Sequence, residues 1–193
     1  MSILLLGGSP SHPSGSTRLL QHIGQRLALH GHRATGLQVR DLPAAALLHA
    51  HFGDAAIAEA LAQVDEADAI VIATPVYKAS YTGILKAFLD LLPQDGLAGK
   101  LVLPLATGGS QSHMLMLDYA LRPVLAALSA RFILPSIYAT SDQLEWVEGS
   151  GLLLAAPIWA RVAQGVDQLS SELHARPRHR HAASAPILTA IPA

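Results

Sequence analysis

The residues best placed for chemistry lie close to the start of the 193-residue chain, in the stretch from Ser2 to Leu20. The short apolar run Ile3–Leu6 breaks at Gly7-Gly8 into a loop of hydroxyls, small residues and prolines, and a helical pattern starts near Ser16. A strand that feeds a loop and then a helix N-terminus is how α/β proteins hold phosphate. Backbone N–H groups and the positive end of the helix dipole face the anion, and hydroxyls add donors. Ser9, Ser14, Ser16 and Thr17 are the useful hydroxyls here. No lysine follows a G-x-x-x-x-G spacing, and G-x-G-x-x-G is missing too, so neither nucleotide fingerprint applies. Hydroxyls without lysine suit a phosphate monoester, as in FMN, better than a triphosphate. A plain polar connection with an N-cap would use the same residues.

Other chemistry is excluded or weak. The chain has no cysteine, which rules out thiol nucleophiles, disulfides and thiolate metal sites. The pairs His30/His32 and His49/His51 have no companion carboxylates at helical spacing and no third ligand, so no metal site is expected. Thirteen basic against fourteen acidic residues carry no nucleic-acid signature. The first apolar run is too short for a signal segment, and no run is long enough to span a membrane. A soluble cytoplasmic protein is the expectation.

The elements that position the first loop follow from periodicity. Helices are expected over Thr17–His30, Asp54–Gln63, Tyr81–Leu92, Ser112–Leu128 and Leu152–Leu173. Strands are expected at Ile3–Leu6, His32–Val39, Ala69–Ala73, Leu101–Ala106 and Phe132–Ala139, with Asp41–Gly53 irregular. Five βα units imply right-handed crossovers and an α/β doubly wound parallel sheet. The flavodoxin-like order 2-1-3-4-5 is preferred to a Rossmann half. Residues 1–173 form the domain, and 174–193, basic and proline-containing, read as a mobile tail.

In such a sheet all strand C-termini share one edge, and ligands bind there. The loop after the third strand reads Thr74-Pro75-Val76-Tyr77-Lys78 and the loop after the fourth Thr107-Gly108-Gly109-Ser110. The glycines let backbone approach a flat ring, and Val76 and Tyr77 offer apolar surface to it. One loop for phosphate and two for a planar ring describe an FMN site. Phosphate is assigned to Ser9, Ser16 and Thr17, and the ring to Pro75, Val76, Tyr77, Lys78, Thr107, Gly108, Gly109 and Ser110. Lys78 is placed to stabilise an anionic reduced flavin or to contact NAD(P)H phosphate, unless it is simply solvated.

The Ser112–Leu128 helix is apolar nearly all round, as expected of a helix buried on both sides in an oligomer interface. Pro123 inside it has no N–H, so the Tyr119 carbonyl loses its α-helical partner. A widened turn would let the Val124 N–H reach that carbonyl in an i→i+5 bond, a π-bulge. A simple kink is the alternative.

Gly8-Ser9-Pro10, the run from Val71 to Gly83, Leu103-Pro104-Leu105-Ala106-Thr107-Gly108-Gly109-Ser110, and Asp118 to Leu125 together resemble one family, over residues 1 to about 140. It is that of the NAD(P)H-dependent FMN reductases of two-component alkanesulfonate monooxygenase systems. The resemblance implies a flavodoxin-like fold, a homotetramer built as a dimer of dimers, and delivery of reduced FMN to a partner FMN-dependent monooxygenase that releases sulfite from organosulfonates. It also implies a π-helix at Tyr119 associated with flavin transfer, with the Tyr119 ring near the flavin edge across the interface. Ser11 departs from the family, whose first loop often carries an arginine there. Two rival readings share the fold. One is an FMN-retaining NAD(P)H:quinone or azo reductase, and the other a flavodoxin-like electron carrier, although carriers are typically more acidic than this chain.

Overall fold

A computed structural model describes residues 1–149 and 151–176. The central sheet is parallel. Its strands are β1 (Ser2–Gly7), β2 (Arg33–Gln38), β3 (Ala69–Pro75), β4 (Leu101–Gly108) and β5 (Phe132–Ile133), in the order β2-β1-β3-β4-β5. This is the flavodoxin-like 2-1-3-4-5 order, with helices on both faces. Coverage of both faces explains why β3 is apolar from Ala69 to Ala73. Ile70 and Ile72 enter the core on one face, while Ala69, Val71 and Ala73 enter the core on the other.

Helices α3 (Ala55–Glu66) and α4 (Gly83–Leu89) cover the first face. Helices α1 (Gly15–Leu29) and α6 (Ala156–Ala175) cover the second. Side-chain caps set several starts. Ser14 accepts from the Thr17 N–H, Asp54 from Ala56 and Ile57, and Thr82 from Leu85.

Five departures from the expected elements have local causes. Asp41–Gly53 contains a short helix, α2 (Ala44–Leu48), which buries Ala46 and Leu47 against the core. The fifth strand is split. β5 pairs with Leu101-Val102, and β6 (Ile137–Thr140) resumes against Leu105–Gly108. Pro135 in the gap cannot donate to a ladder. Residues Leu152–Leu154 are not helical, because they form β8 (Gly151–Leu154) in an antiparallel hairpin with β7 (Leu144–Val147). α6 therefore starts at Ala156, where Pro157 in the first turn needs no helical N–H partner. Gly165 does not interrupt it, since that position sits against Ile137 where a side chain would crowd the sheet.

The fourth departure is at the end. α6 runs to Ala175, with His174 bonded back to Ser170, and Arg176 donates to the Gly99 carbonyl at 3.1 Å. Residues 174–176 thus belong with the helix, and the rest of the expected basic tail lies outside the described residues. Among the described residues no helix is long and apolar enough to cross a membrane.

The expected Ser112–Leu128 helix is a composite. A single 3-10 turn at Gln111–His113 leads to a π-helix over Leu117–Leu121 and then to α5 (Arg122–Ala127). The Arg122 N–H bonds the Leu117 carbonyl, five residues back. The π turn is where the sequence places it, around Tyr119, but this i→i+5 bond starts two residues earlier than the Tyr119–Val124 bond expected from Pro123. Pro123 follows directly as the second residue of α5, and the widened turn brings the chain into a position that tolerates a missing donor.

Candidate active site

The loop after β1 is fastened on three sides. The Gly8 N–H donates to the Ala73 carbonyl at 2.8 Å, and the Thr82 hydroxyl donates to the Gly8 carbonyl. Gly8 packs so closely on Leu85 that a side chain there would collide. Ser9, Ser16 and Thr17 are all buried. Ser9 Oγ meets Ser11, Ser14 Oγ lies 3.0 Å from Ser16 Oγ, and Thr17 Oγ1 accepts from Arg40 at 3.3 Å. The first N–H groups of α1 have no partner within the helix, and they open toward this loop.

The other two loops are equally constrained. The Thr74 hydroxyl donates to the Pro75 carbonyl and accepts from the Thr82 N–H. The Val76 N–H reaches across to the Thr107 carbonyl at 2.8 Å, tying the loop after β3 to β4. Tyr77 and Ser80 close a tight turn with bonds in both directions, which holds Lys78 and Ala79 in the left-handed region at φ 49° and 61°. Gly108 lies against Tyr138, whose hydroxyl donates to the Ser110 carbonyl at 2.6 Å. Burial pushes the Tyr138 phenol up, so it stays a donor. Gly109 faces open space.

The loops meet around a cavity of about 380 Å³, within the size range of small-ligand sites. Pro75, Val76, Tyr77, Thr107, Gly108 and Gly109 line it from the second and third loops. Ser11, Pro13, Ser14 and Gly15 line it from the first, at the α1 N-terminus. Ser9, Ser16 and Thr17 sit behind that lining as the buried frame of the loop. Lys78 and Ser110 are exposed residues of the same two loops, outside the lining. Tyr119 is 79% exposed on the π segment, also outside the cavity. A larger groove of about 580 Å³ runs between α4 and α5, but no strand end opens into it.

Three contributors are not among the residues singled out from sequence. Ser141 and Leu144 line the cavity from the start of the hairpin, and Ser141 Oγ donates to the Gly108 carbonyl at 3.3 Å. The closely spaced glycines 149 and 151 after Leu144–Val147 were the available hairpin signal. Arg40 reaches the first loop from just beyond β2, which ends at the same sheet edge.

The site has the parts a flavin monophosphate requires: a helix N-terminus framed by hydroxyls, and two glycines beside an apolar wall. The family described as NADPH-dependent FMN reductase matches residues 1–145. The chain belongs to that family. It is 45% identical over 174 residues to an FMN reductase (NADPH) of Pseudomonas putida, covering 90% of this chain and 83% of that one. It is 43% identical over 144 residues to an FMN reductase (NADPH) of Escherichia coli K12, covering 75% of each. The crystal structure of the apo form of an NADH:FMN oxidoreductase, EMOB, superposes with a TM-score of 0.83 at 37% identity, covering 91% of each chain. As a member of the FMN reductase family the protein is an oxidoreductase that works with FMN and NAD(P)H.

The two histidine pairs singled out from the sequence have local contacts. The His49 and His51 rings stack at 5.7 Å, His30 lies 3.4 Å from Asp167, and His32 bonds Ser170. Among the described residues, no three His, Asp or Glu side chains converge as metal ligands would.

Proposed function

We propose that the protein reduces FMN as a dissociable substrate and releases it to an FMN-dependent monooxygenase that acts on organosulfonates. The observation that carries the flavin part of the reading is the meeting of three loops, one of them a helix N-terminus, on a single cavity; the partner and its substrate are what the family resemblance implies. The phosphate sits at the start of α1, on the loop whose shape Ser9, Ser16 and Thr17 maintain. The ring lies along Pro75–Tyr77 and over Thr107–Gly109, with Lys78 and Ser110 at the rim. When bound, the flavin supplies the ring that accepts hydride from the reduced nicotinamide. The chain supplies stacking surface and orientation, and Lys78 a positive charge near the mouth. Tyr119, exposed on the π segment, reaches the flavin edge of a neighbouring protomer in a homotetramer arranged as a dimer of dimers.

The test is retention. Protein freed of flavin is titrated with FMN by fluorescence and then desalted. We expect saturable binding, loss of FMN on desalting, and NAD(P)H oxidation only when FMN is added back. One FMN per protomer surviving desalting, with quinone reduced in the absence of free flavin, would contradict the reading in favour of a flavin-retaining quinone reductase.

A further inference from the structure

The loop from Gly8 to Thr17 contains no lysine or arginine. A cation nevertheless stands against it. Arg40 Nη1 donates to the Ser9 carbonyl at 3.3 Å, to the Ser11 carbonyl at 3.2 Å and to Thr17 Oγ1 at 3.3 Å. Its side chain is 17% exposed, and its acidic neighbour Asp41 is 3.7 Å from Nε and largely in solvent. The guanidinium is therefore held behind the loop, with a solvent-exposed carboxylate as its acidic neighbour.

Three consequences follow from these contacts. Thr17 Oγ1 uses a lone pair on Arg40, so its own proton remains free to donate elsewhere. The Ser11 carbonyl turns toward Arg40, so in the trans peptide that follows, the His12 N–H points the opposite way. The charge lies beneath the segment of the cavity wall that Ser11 provides, where it favours a dianion through a low-dielectric layer.

We propose that Arg40 is the positioning residue of the phosphate loop and sets the preference for FMN over riboflavin, the same ring without phosphate. This rests on the placement of the phosphate at α1 given above. Arg40 acts from behind the loop, so its removal should cost phosphate recognition and leave ring recognition intact.

The test compares the dissociation constants of FMN and riboflavin, measured by fluorescence titration, for wild type and Arg40→Met. Wild type should bind FMN more tightly than riboflavin. In the variant, FMN binding should weaken by about tenfold or more, the scale of losing charge-assisted contacts, while riboflavin binding stays within about twofold. Should Arg40→Met fail to fold, Arg40→Lys keeps a charge on a shorter side chain with a smaller head group, and FMN alone should weaken, to a smaller extent. Parallel weakening of both flavins would reduce Arg40 to a structural role and overturn the proposal. So would an unchanged ratio, or a wild type without preference. NAD(P)H oxidation with each flavin separates the two readings. Loss of the preference in a protein that oxidises no NAD(P)H would leave Arg40's role standing and remove the reductase reading.

Discussion

At the scale of single residues, the adjacent glycines of the third loop have different reasons to be glycine. A side chain on Gly108 would strike the Tyr138 hydroxyl, which is buried and committed to the Ser110 carbonyl. A side chain on Gly109 meets nothing in the protein, yet Gly109 lines the cavity. Gly108→Ala should therefore destabilise the fold by about 1–3 kcal/mol, seen as a lower denaturation midpoint. Gly109→Val should leave the midpoint near wild type and weaken FMN binding several-fold. Equal stability losses in both would refute this division. Sequence reasoning put both glycines at the ring but did not separate their roles, because Tyr138 is distant in the chain and its approach is a tertiary fact.

His32 supplies a residue-level expectation for pH. It is buried, bonded to Ser170 Oγ at 2.8 Å, and its ring centroid is 4.9 Å from that of His174. Burial first, then the charges of His174, the N-terminus and His30, push its pKa below 6.5. The unfolded chain thus binds this proton more readily than the folded one, and stability falls as pH drops from 6.5 through the lowered folded value. His22, lowered by burial and then by Arg26, acts in the same sense. The melting temperature of the wild type should decline from pH 7 to pH 5, and His32→Gln should flatten that decline. A variant profile parallel to the wild type's would contradict it.

At the scale of elements, the π segment and the hairpin show what local pattern can and cannot reveal. Pro123 announces trouble in the helix because a missing donor is a property of the residue itself. Where the ladder gives way is decided by packing. Leu117, Leu121 and Leu125 all enter the core, on one side of the segment that holds the widened turn. Pro123→Ala restores the donor and removes the obstacle to a regular α-helix. Closing the turn rotates Tyr119 about the helix axis away from its present exposed position. We expect stability within about 1 kcal/mol of wild type, with slower multiple-turnover FMN reduction and little change for the first equivalent. Equal rates in both regimes would show that the widened turn plays no part in flavin exchange. The hairpin escaped because Leu152–Leu154 continue the apolar spacing of α6, so the two periods overlap at that boundary. Its packing uses a contact invisible to periodicity, the Arg18 guanidinium 4.3 Å above the Trp146 ring.

At the scale of the whole molecule, the parallel order 2-1-3-4-5 was legible because β1, β3 and β4 carry apolar runs ended by small polar loops. The convergence of the three loops follows from that order alone. The lining from the hairpin and the cation from beyond β2 were not legible, since both depend on how later or neighbouring segments fold over the sheet edge. Met114, Leu115 and Tyr119 leave an apolar face on the π segment and the turn before it. In the proposed cycle flavin enters, is reduced and leaves. Flavin-stripped protein, kept anaerobic, should be mixed with excess NADPH or NADH and a large molar excess of FMN while flavin bleaching is followed. We expect reduction of many equivalents of FMN per protomer with at least one of the two nucleotides. Bleaching that stops at about one equivalent per protomer, or none with either donor despite FMN binding, would contradict it.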